Sequence, residues 1–374
     1  MNSNPIRILH VIGIMDRAGA ETAIMNLYRS MDRNKVQFDF LVHTKEEGDY
    51  DEEILHLGGR IYNIPRFTGA NVIPYKKACR IFFKEHPEYR IVHGHIGSSA
   101  AIYLNEAKKL GAFTIAHSHS QGFPFSFLQL AFRTITFPTR FVADYFIACS
   151  QQAGLDRYGK RIATSNRYTV LKNGIDVGLY RFSEKTRGTI RDELSIPCDA
   201  IVFGHVGRFD PIKNHPFLIQ VFSKALDMNP NSYLVLVGRE DDGAVRRQCE
   251  AAGIIENVRF LGLREDVYSV LSAMDVFVFP SFKEGLSLAT IEAQAAGLPC
   301  IVSTGVPQLA KTSNLVDFLP LSAGSDIWAK TAIEKSKGGF DTERANAGEK
   351  VRAAGFDIKS SAQWLEEFYI GHYA

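Results

Sequence analysis

What most constrains this chain is a series of short, almost wholly apolar segments, each closed by a polar or glycine turn and answered by a stretch of helical periodicity. IRILHVIG (residues 6–13) leads into GAETAIMNLYRSM, where Ala23, Leu27 and Met31 recur at helical spacing. FDFLVHT, RIYNIP, RIVHGHIG, FTIAHSHS, DYFIACS and RYTVLKNGID continue the series, with PYKKACRIFFKEH as an intervening helix. The pattern then restarts with IVFGHVGRF (201–209), SYLVLVG, VRFLG, DVFVFPS and PCIVST, separated by HPFLIQVFSKAL, VRRQCEAAG, DVYSVLSAM and EGLSLATIEAQAAG. Strands without alternating polarity are buried on both faces, the condition of a parallel sheet covered by crossover helices. The expected fold class is therefore α/β with two Rossmann-like domains, over residues 1–178 and 179–355. The remaining segment, 356–374, contains SAQWLEEFYIGHY, a helix polar enough to lie on a surface or to cross back to the first domain.

A length of 374 residues suits two cores of this size. Lys and Arg number 43 against 41 Asp and Glu, and a net charge of +2 argues against a dedicated nucleic-acid binder. The five cysteines are widely separated, without CxxC spacing, and read as small buried apolar residues of a reducing compartment. MNSNPIRILHVIG lacks a basic region followed by a long apolar run, so no signal peptide is expected and a cytoplasmic location is.

In open α/β sheets ligands sit beyond the carboxyl ends of the strands, so residues just after strands are the candidates. GRFDPIKN places Arg208 and Lys213 near a glycine turn, where two cations suit a diphosphate. One such pair at ~4 Å and an effective dielectric of ~20 is worth roughly 4 kcal/mol before desolvation, although two solvated surface cations are the plainer reading. In FKEGLSLATIEAQAAGLP (282–299), Gly285 permits a tight turn and the amides of Leu286, Ser287 and Leu288 open a helix. Free amides at a helix start form an anion site. Glu284, just before the turn, is electrostatically wrong for phosphate but right for sugar hydroxyls, which donate to carboxylates. Glu292, a turn or so into the helix, could accept from ribose hydroxyls in the same crevice; a solvated helix glutamate is the plainer reading, made less comfortable by so apolar a flank.

Other features carry weaker signals. His93 and His95 fall on one face of a strand, but with no companion His, Cys or Asp cluster evident they are expected to be structural or cleft histidines instead of metal ligands. DYDEE (49–53) reads as a solvated acidic loop. GFPFSFLQLAFRTITFPTRF (122–141), with Arg133 and Arg140, is expected to pack as a helix into the first core. Its sharper alternative is an acceptor-side surface touching a lipid-linked sugar or the inner face of the membrane. A nicotinamide dehydrogenase is disfavoured, because no GxGxxG follows a first strand and IGIMDRAGAE holds only Gly13 and Gly19.

Taken together these segments resemble glycosyltransferase family 4, the retaining GT-B enzymes that use nucleotide sugars. FKEGLSLATIEAQAAGLP resembles the family's E-x7-E signature, GAETAIMNLYR its GGxE loop, LKNGID its NGxD strand end and GRFDPIKN its GR…K segment. AHSHS matches the strand end that contributes a histidine at the donor sugar. The resemblance covers most of the chain and implies a GT-B fold whose two sheets face across a cleft, with an acceptor domain first and a nucleotide-sugar domain second. It implies Arg208 and Lys213 at the diphosphate, Glu292 at ribose, and Glu284 at donor-sugar hydroxyls. Gly285, Leu286, Ser287 and Leu288 would offer amides, and Gly19 and Asn173 would lie at the donor. Ala18 stands where the family has its first loop glycine. His119 is the preferred active-site histidine, with His117 the alternative alignment. The implied activity moves a hexose-type sugar, from a UDP-sugar in preference, to a glycan or lipid-linked acceptor in bacterial surface-polysaccharide (exopolysaccharide or capsule) synthesis. Neither a cofactor nor a metal is expected. The rival readings are a sugar-nucleotide 2-epimerase of the same fold, which would consume donor without acceptor, and a non-catalytic nucleotide-sugar-binding protein.

Overall fold

The computed structural model describes residues 4–17, 19–119, 134–238, 243–338, 344 and 346–373. The chain divides into two compact units, one running to Gly174 and taking in the segment from Ile358 onward, the other spanning Ile175–Asp357.

The first unit is built on seven parallel strands: β1 (Ile6–Ile12), β2 (Val36–Val42), β3 (Ile61–Asn63), β4 (Ile91–Gly94), β5 (Phe113–Ser118), β6 (Tyr145–Ala148) and β7 (Tyr168–Val170). Their order in the sheet is β3-β2-β1-β4-β5-β6-β7. Successive side chains point to opposite faces, so Leu9, Val11 and Val92 enter one core with Tyr103 and Phe146. Ile8, Ile91 and Ile115 enter the other with Phe38 and Phe40. Two buried faces explain why these strands carry so little polarity.

The C-terminal helix, Ile358–His372, is more deeply engaged than its polar composition suggests. Ile358, Ala362, Leu365 and Tyr369 follow one helical stripe and are buried in the second of these cores. Full burial of side chains the size of Ile358 and Leu365 stabilises by roughly 1.5–3 kcal/mol each. On the outer side Glu366 pairs with Lys35 at 3.0 Å.

The second unit repeats the plan with six parallel strands, β8 (Ile201–Val206), β9 (Ser232–Val237), β10 (Val258–Phe260), β11 (Val276–Phe279), β12 (Cys300–Ser303) and β13 (Val316–Leu319), ordered β10-β9-β8-β11-β12-β13. Strand β13, VDFL, escapes the sequence reading because it is four residues long, lies at the sheet edge and is interrupted by Asp317. In both sheets the chain reverses direction across the sheet between the first and fourth strands. That reversal opens a crevice at the strand ends, between β1 and β4 in the first unit and between β8 and β11 in the second.

All five cysteines are free. Cys79, Cys149, Cys249 and Cys300 are buried as expected, but Cys198 is exposed in the turn before β8, where a polar loop offers no core to enter.

Candidate functional site

In the second unit the loops after β8 and β11 meet. Asp210 caps a short 3-10 turn, Pro211–Lys213, by accepting from the Ile212 amide at 2.8 Å. Asn214 then takes a left-handed conformation (φ 58°) that redirects the chain into helix His215–Met228. Its side chain donates to the Pro280 carbonyl at 3.2 Å, tying this loop to the end of β11. Lys213 thereby reaches Glu284: Nζ lies 2.8 Å from Oε1, with the two side chains only 18% and 11% exposed. The ammonium also sits 4.9 Å from the Phe279 ring centroid. The reading of Lys213 as a solvated surface cation is therefore set aside. Arg208 follows the same strand but is 63% exposed, its guanidinium 3.8 Å from Asp210.

Glu284 is anchored by its amide, which donates to the Gly305 carbonyl at 3.0 Å. Next to it Gly285 has no heavy atom within 4 Å of where a Cβ would stand, so its backbone is open to close approach. The following helix, Leu288–Ala295, starts two residues later than Leu286, where the sequence pattern puts it. Ser287 is its cap, the hydroxyl accepting from the Thr290 amide at 3.3 Å. The first amides of that helix have no intrahelical partner, as at any helix start. One turn on, Glu292 is partly buried, with the Tyr180 hydroxyl close enough to influence its ionisation. Burial raises its carboxyl pKa above the ordinary 4.5, and the Tyr180 hydroxyl works against that rise. Tyr180 escapes the sequence reading, since a tyrosine in a loop over a hundred residues away carries no periodicity to link it to Glu292.

The first unit places Gly19 at the start of helix Gly19–Ser30, and among the described residues a Cβ at this position too would meet no heavy atom within 4 Å beyond its chain neighbours and the helix's own backbone. Ala18 lies outside the described residues. Asn173 is half-buried just after β7. His119 stands just beyond β5 and is part of a larger array. The register sets His10 of β1 beside His93 of β4, and residues two apart share a face. Five imidazoles therefore line up across three strands. His10 Nδ1 is 3.0 Å from His95 Nε2, His95 Nδ1 is 2.8 Å from His119 Nε2, and His93 Nε2 is 3.2 Å from His117 Nδ1. Tyr369 closes the array with its hydroxyl 2.6 Å from His93 Nδ1. Burial lowers the pKa of every member, His10 to about 3 and His119 to about 4, so all are neutral at pH 7. The expectation that His93 and His95 lack companions is corrected: the companions come from β1 and β5, and only strand pairing reveals them. His117 is buried while His119 is partly exposed.

Of the aromatic segment 122–141, residues 122–133 lie outside the described residues. Over the remainder a short helix, Thr139–Val142, sits beside the first core with a mixed face. Ile135, Phe137 and Phe141 are exposed while Thr136 and Thr139 are buried. Among the described residues no helix is long and apolar enough to cross a membrane.

Comparison with known proteins bears on these arrangements. Residues 17–179 match the family described as Glycosyltransferase Family 4, and residues 186–313 match Glycosyl transferases group 1. A Bacillus subtilis (strain 168) protein named "Putative glycosyltransferase EpsF" is 33% identical over 378 residues, covering 99% of this chain and 97% of that one. The chain belongs to glycosyltransferase family 4. Another relative, the UDP-Gal:alpha-D-GlcNAc-diphosphoundecaprenol alpha-1,3-galactosyltransferase of Escherichia coli, is 27% identical over 289 residues, 71% of this chain and 72% of that one. The fold is that of GT-B glycosyltransferases, and the structure of Anabaena Alr3699/HepE in complex with UDP superposes with a TM-score of 0.78. The overlap spans 98% of this chain and 100% of that one at 20% identity. Family membership makes this protein a glycosyltransferase, and its E-x7-E pair is Glu284 and Glu292.

Proposed function

We propose that this glycosyltransferase moves a hexose-type sugar from a UDP-sugar to a glycan or lipid-linked acceptor, with retention at the anomeric carbon, in bacterial surface-polysaccharide synthesis. The observation that carries the proposal is the Lys213–Glu284 pair held beside the open Gly285 turn, at the crevice between β8 and β11. Departure of the nucleoside diphosphate builds negative charge on the β-phosphate. Lys213, Arg208 and the amides around Ser287 are the groups proposed to receive it, which leaves no requirement for a metal at the diphosphate. Glu284 would exchange part of its bond with Lys213 for donor-sugar hydroxyls, and Glu292, steadied by Tyr180, would accept from ribose. In the first unit Gly19 and Asn173 are proposed donor contacts and His119 the histidine at the donor sugar. The choice of UDP and of a lipid-linked acceptor draws on the E. coli relative, whose name gives UDP-Gal and a diphosphoundecaprenol-linked acceptor, and on HepE with UDP.

A thermal-shift panel of UDP-, GDP- and ADP-sugars tests the donor, since ligand at 100 times its Kd adds ~2.7 kcal/mol. Stabilisation by UDP-sugars alone is expected, followed by turnover that requires an acceptor and is unchanged by EDTA. Stabilisation by another base alone would overturn the donor assignment. Donor turnover without acceptor would point to the epimerase, and binding without turnover to a sensor.

A further inference from the structure

The histidine array contains more imidazole than a donor-sugar contact requires. Two triads within it bring one ring nitrogen from each member to within 4.8 Å of the others: His10, His93 and His95, and His95, His117 and His119. Only the second has all three of its members on a cavity. His95, His117 and His119 all line a cavity of about 110 Å³ that Tyr158 and Arg157 also border, whereas His10 and His93 lie behind it. Among the described residues His117 Nε2 is buried without a hydrogen-bond partner, as are His119 Nδ1 and His10 Nε2.

The rings behind the triad make a second, independent argument. A metal-bound imidazole holds its far N–H in a hydrogen bond that fixes the tautomer. His117 Nδ1 is 3.2 Å from His93 Nε2, and His93 Nδ1 is 2.6 Å from the Tyr369 hydroxyl. His95 Nε2 is 3.0 Å from His10 Nδ1. With His117 donating to His93, His93 to Tyr369 and His95 to His10, lone pairs remain on His117 Nε2 and His95 Nδ1, and His119 Nε2 joins them once its proton moves to Nδ1. No ring has to be charged.

We propose that His95, His117 and His119 form a binding site for a borderline transition-metal dication such as Zn²⁺, Co²⁺ or Ni²⁺. Three neutral nitrogens suit these ions, while Mg²⁺ and Ca²⁺ demand oxygen ligands. The ion takes the place of the proton that His119 Nε2 donates to His95 Nδ1, now 2.8 Å apart, and that proton moves to His119 Nδ1 so that the ring stays neutral. Bonds of about 2.0–2.1 Å in a tetrahedron require nitrogens about 3.3 Å apart, so the His95–His119 contact must widen and the His117 and His119 rings, stacked with centroids 4.0 Å apart, must turn away from each other as the ion enters. Three protein ligands leave one position for a small molecule, and the Arg157 charge on the same cavity favours an anion there over water. On the functional reading above, the ion would occupy the His119 nitrogen that the donor sugar uses. Zn²⁺ is then expected to inhibit transfer and a chelator to restore it.

Titration of the full-length protein with Co²⁺, followed by visible absorption, tests the site without reference to transfer. One equivalent should saturate the intense absorption of tetrahedral cobalt. His119→Gln, at the open end of the array, and His117→Gln should each weaken binding by at least the ~10–100-fold that loss of a second-shell partner costs, and His93→Phe by about that amount. Circular dichroism of each variant identifies any that fails to fold, and His119→Gln then decides. The proposal is overturned by absence of saturable absorption, by the weak spectrum of octahedral cobalt, or by unchanged affinity in folded His119→Gln. It is equally overturned if His10→Gln abolishes binding while His117→Gln leaves it intact. Because the spectrum needs neither donor nor acceptor, failure here leaves the transferase reading standing, and failure of that reading leaves the metal site standing.

Discussion

Lys213 and Glu284 form a 2.8 Å ion pair although they lie 71 residues apart, because each follows one of the two strands that flank the reversal point of the second sheet. On the proposed function, the pair holds a cation at the crevice before the donor arrives, so little reorganisation would be needed when charge develops on the leaving diphosphate. Replacing Lys213 with alanine removes that cation and leaves Glu284 without its counter-charge. Turnover should fall by on the order of 10²–10³, as for loss of an oxyanion donor. The more exposed Arg208 should give a fall of the same kind in Arg208→Ala. Steady-state kinetics with saturating UDP-sugar check both, and rates within a few-fold of the parent would retire the role.

Glu292 sets function against stability. Its folded-state pKa is raised by burial above the ordinary 4.5, so the ionised form is the disfavoured one in the fold. That penalty is absent below the unfolded pKa, grows as pH rises through the raised folded value, and is constant beyond it. Glu292→Gln keeps an acceptor for Tyr180 but removes the charge. Its melting temperature without ligand should exceed the parent's at pH 7–8, with the gain vanishing as pH falls below about 4.5. Donor binding should weaken at the same time. Melting curves across pH, with and without UDP, measure both, and unchanged donor affinity would remove Glu292 from the ribose.

Asp275, at the mouth of β11, holds Arg187 and Arg191 of helix Glu184–Glu193 at 2.6 and 2.7 Å. Arg191 is almost wholly buried, and Arg344 nearby is pushed down to about 9 by burial and by the two other guanidinium groups. Asp275→Ala leaves this group of cations without its counter-charge. Urea unfolding should show a loss of about 3–5 kcal/mol, the cost of breaking a buried pair from one side. A loss below 1 kcal/mol would mean that carbonyl contacts alone support the arginines.

How much of this is legible in the sequence follows from range. IRILHVIG and IVFGHVGRF announce doubly buried parallel strands because burial on both faces leaves a local mark, continuous apolarity. Glu284, Gly285 and Ser287 are likewise readable, since turn, cap and helix lie within a few residues. The HGH and HSH tripeptides show period-2 spacing, but their meeting with His10 depends on the strand order β1-β4-β5, which no local pattern encodes. Tyr180 beside Glu292 is hidden for the same reason. Strand VDFL is missed because four residues at an edge, one of them Asp317, bury too little to show a pattern.

The C-terminal helix ties the end of the chain into the first unit, and two substitutions separate its contributions. Leu365 is fully buried among the residues that cover β1 and β2, so Leu365→Ala opens a cavity and should cost about 2–5 kcal/mol. Tyr369 is equally buried, but its hydroxyl reaches His93 Nδ1 at 2.6 Å. Tyr369→Phe keeps the ring and strands that nitrogen, which should cost about 1–3 kcal/mol, the penalty of an unsatisfied buried polar group. His93→Phe in the Tyr369→Phe background removes the stranded nitrogen, so the double variant should lose less stability than the sum of the two single ones. Urea unfolding of all four proteins completes the cycle. Strict additivity would show that Tyr369 holds the helix by its ring alone, and that the histidine array is not fastened from this side.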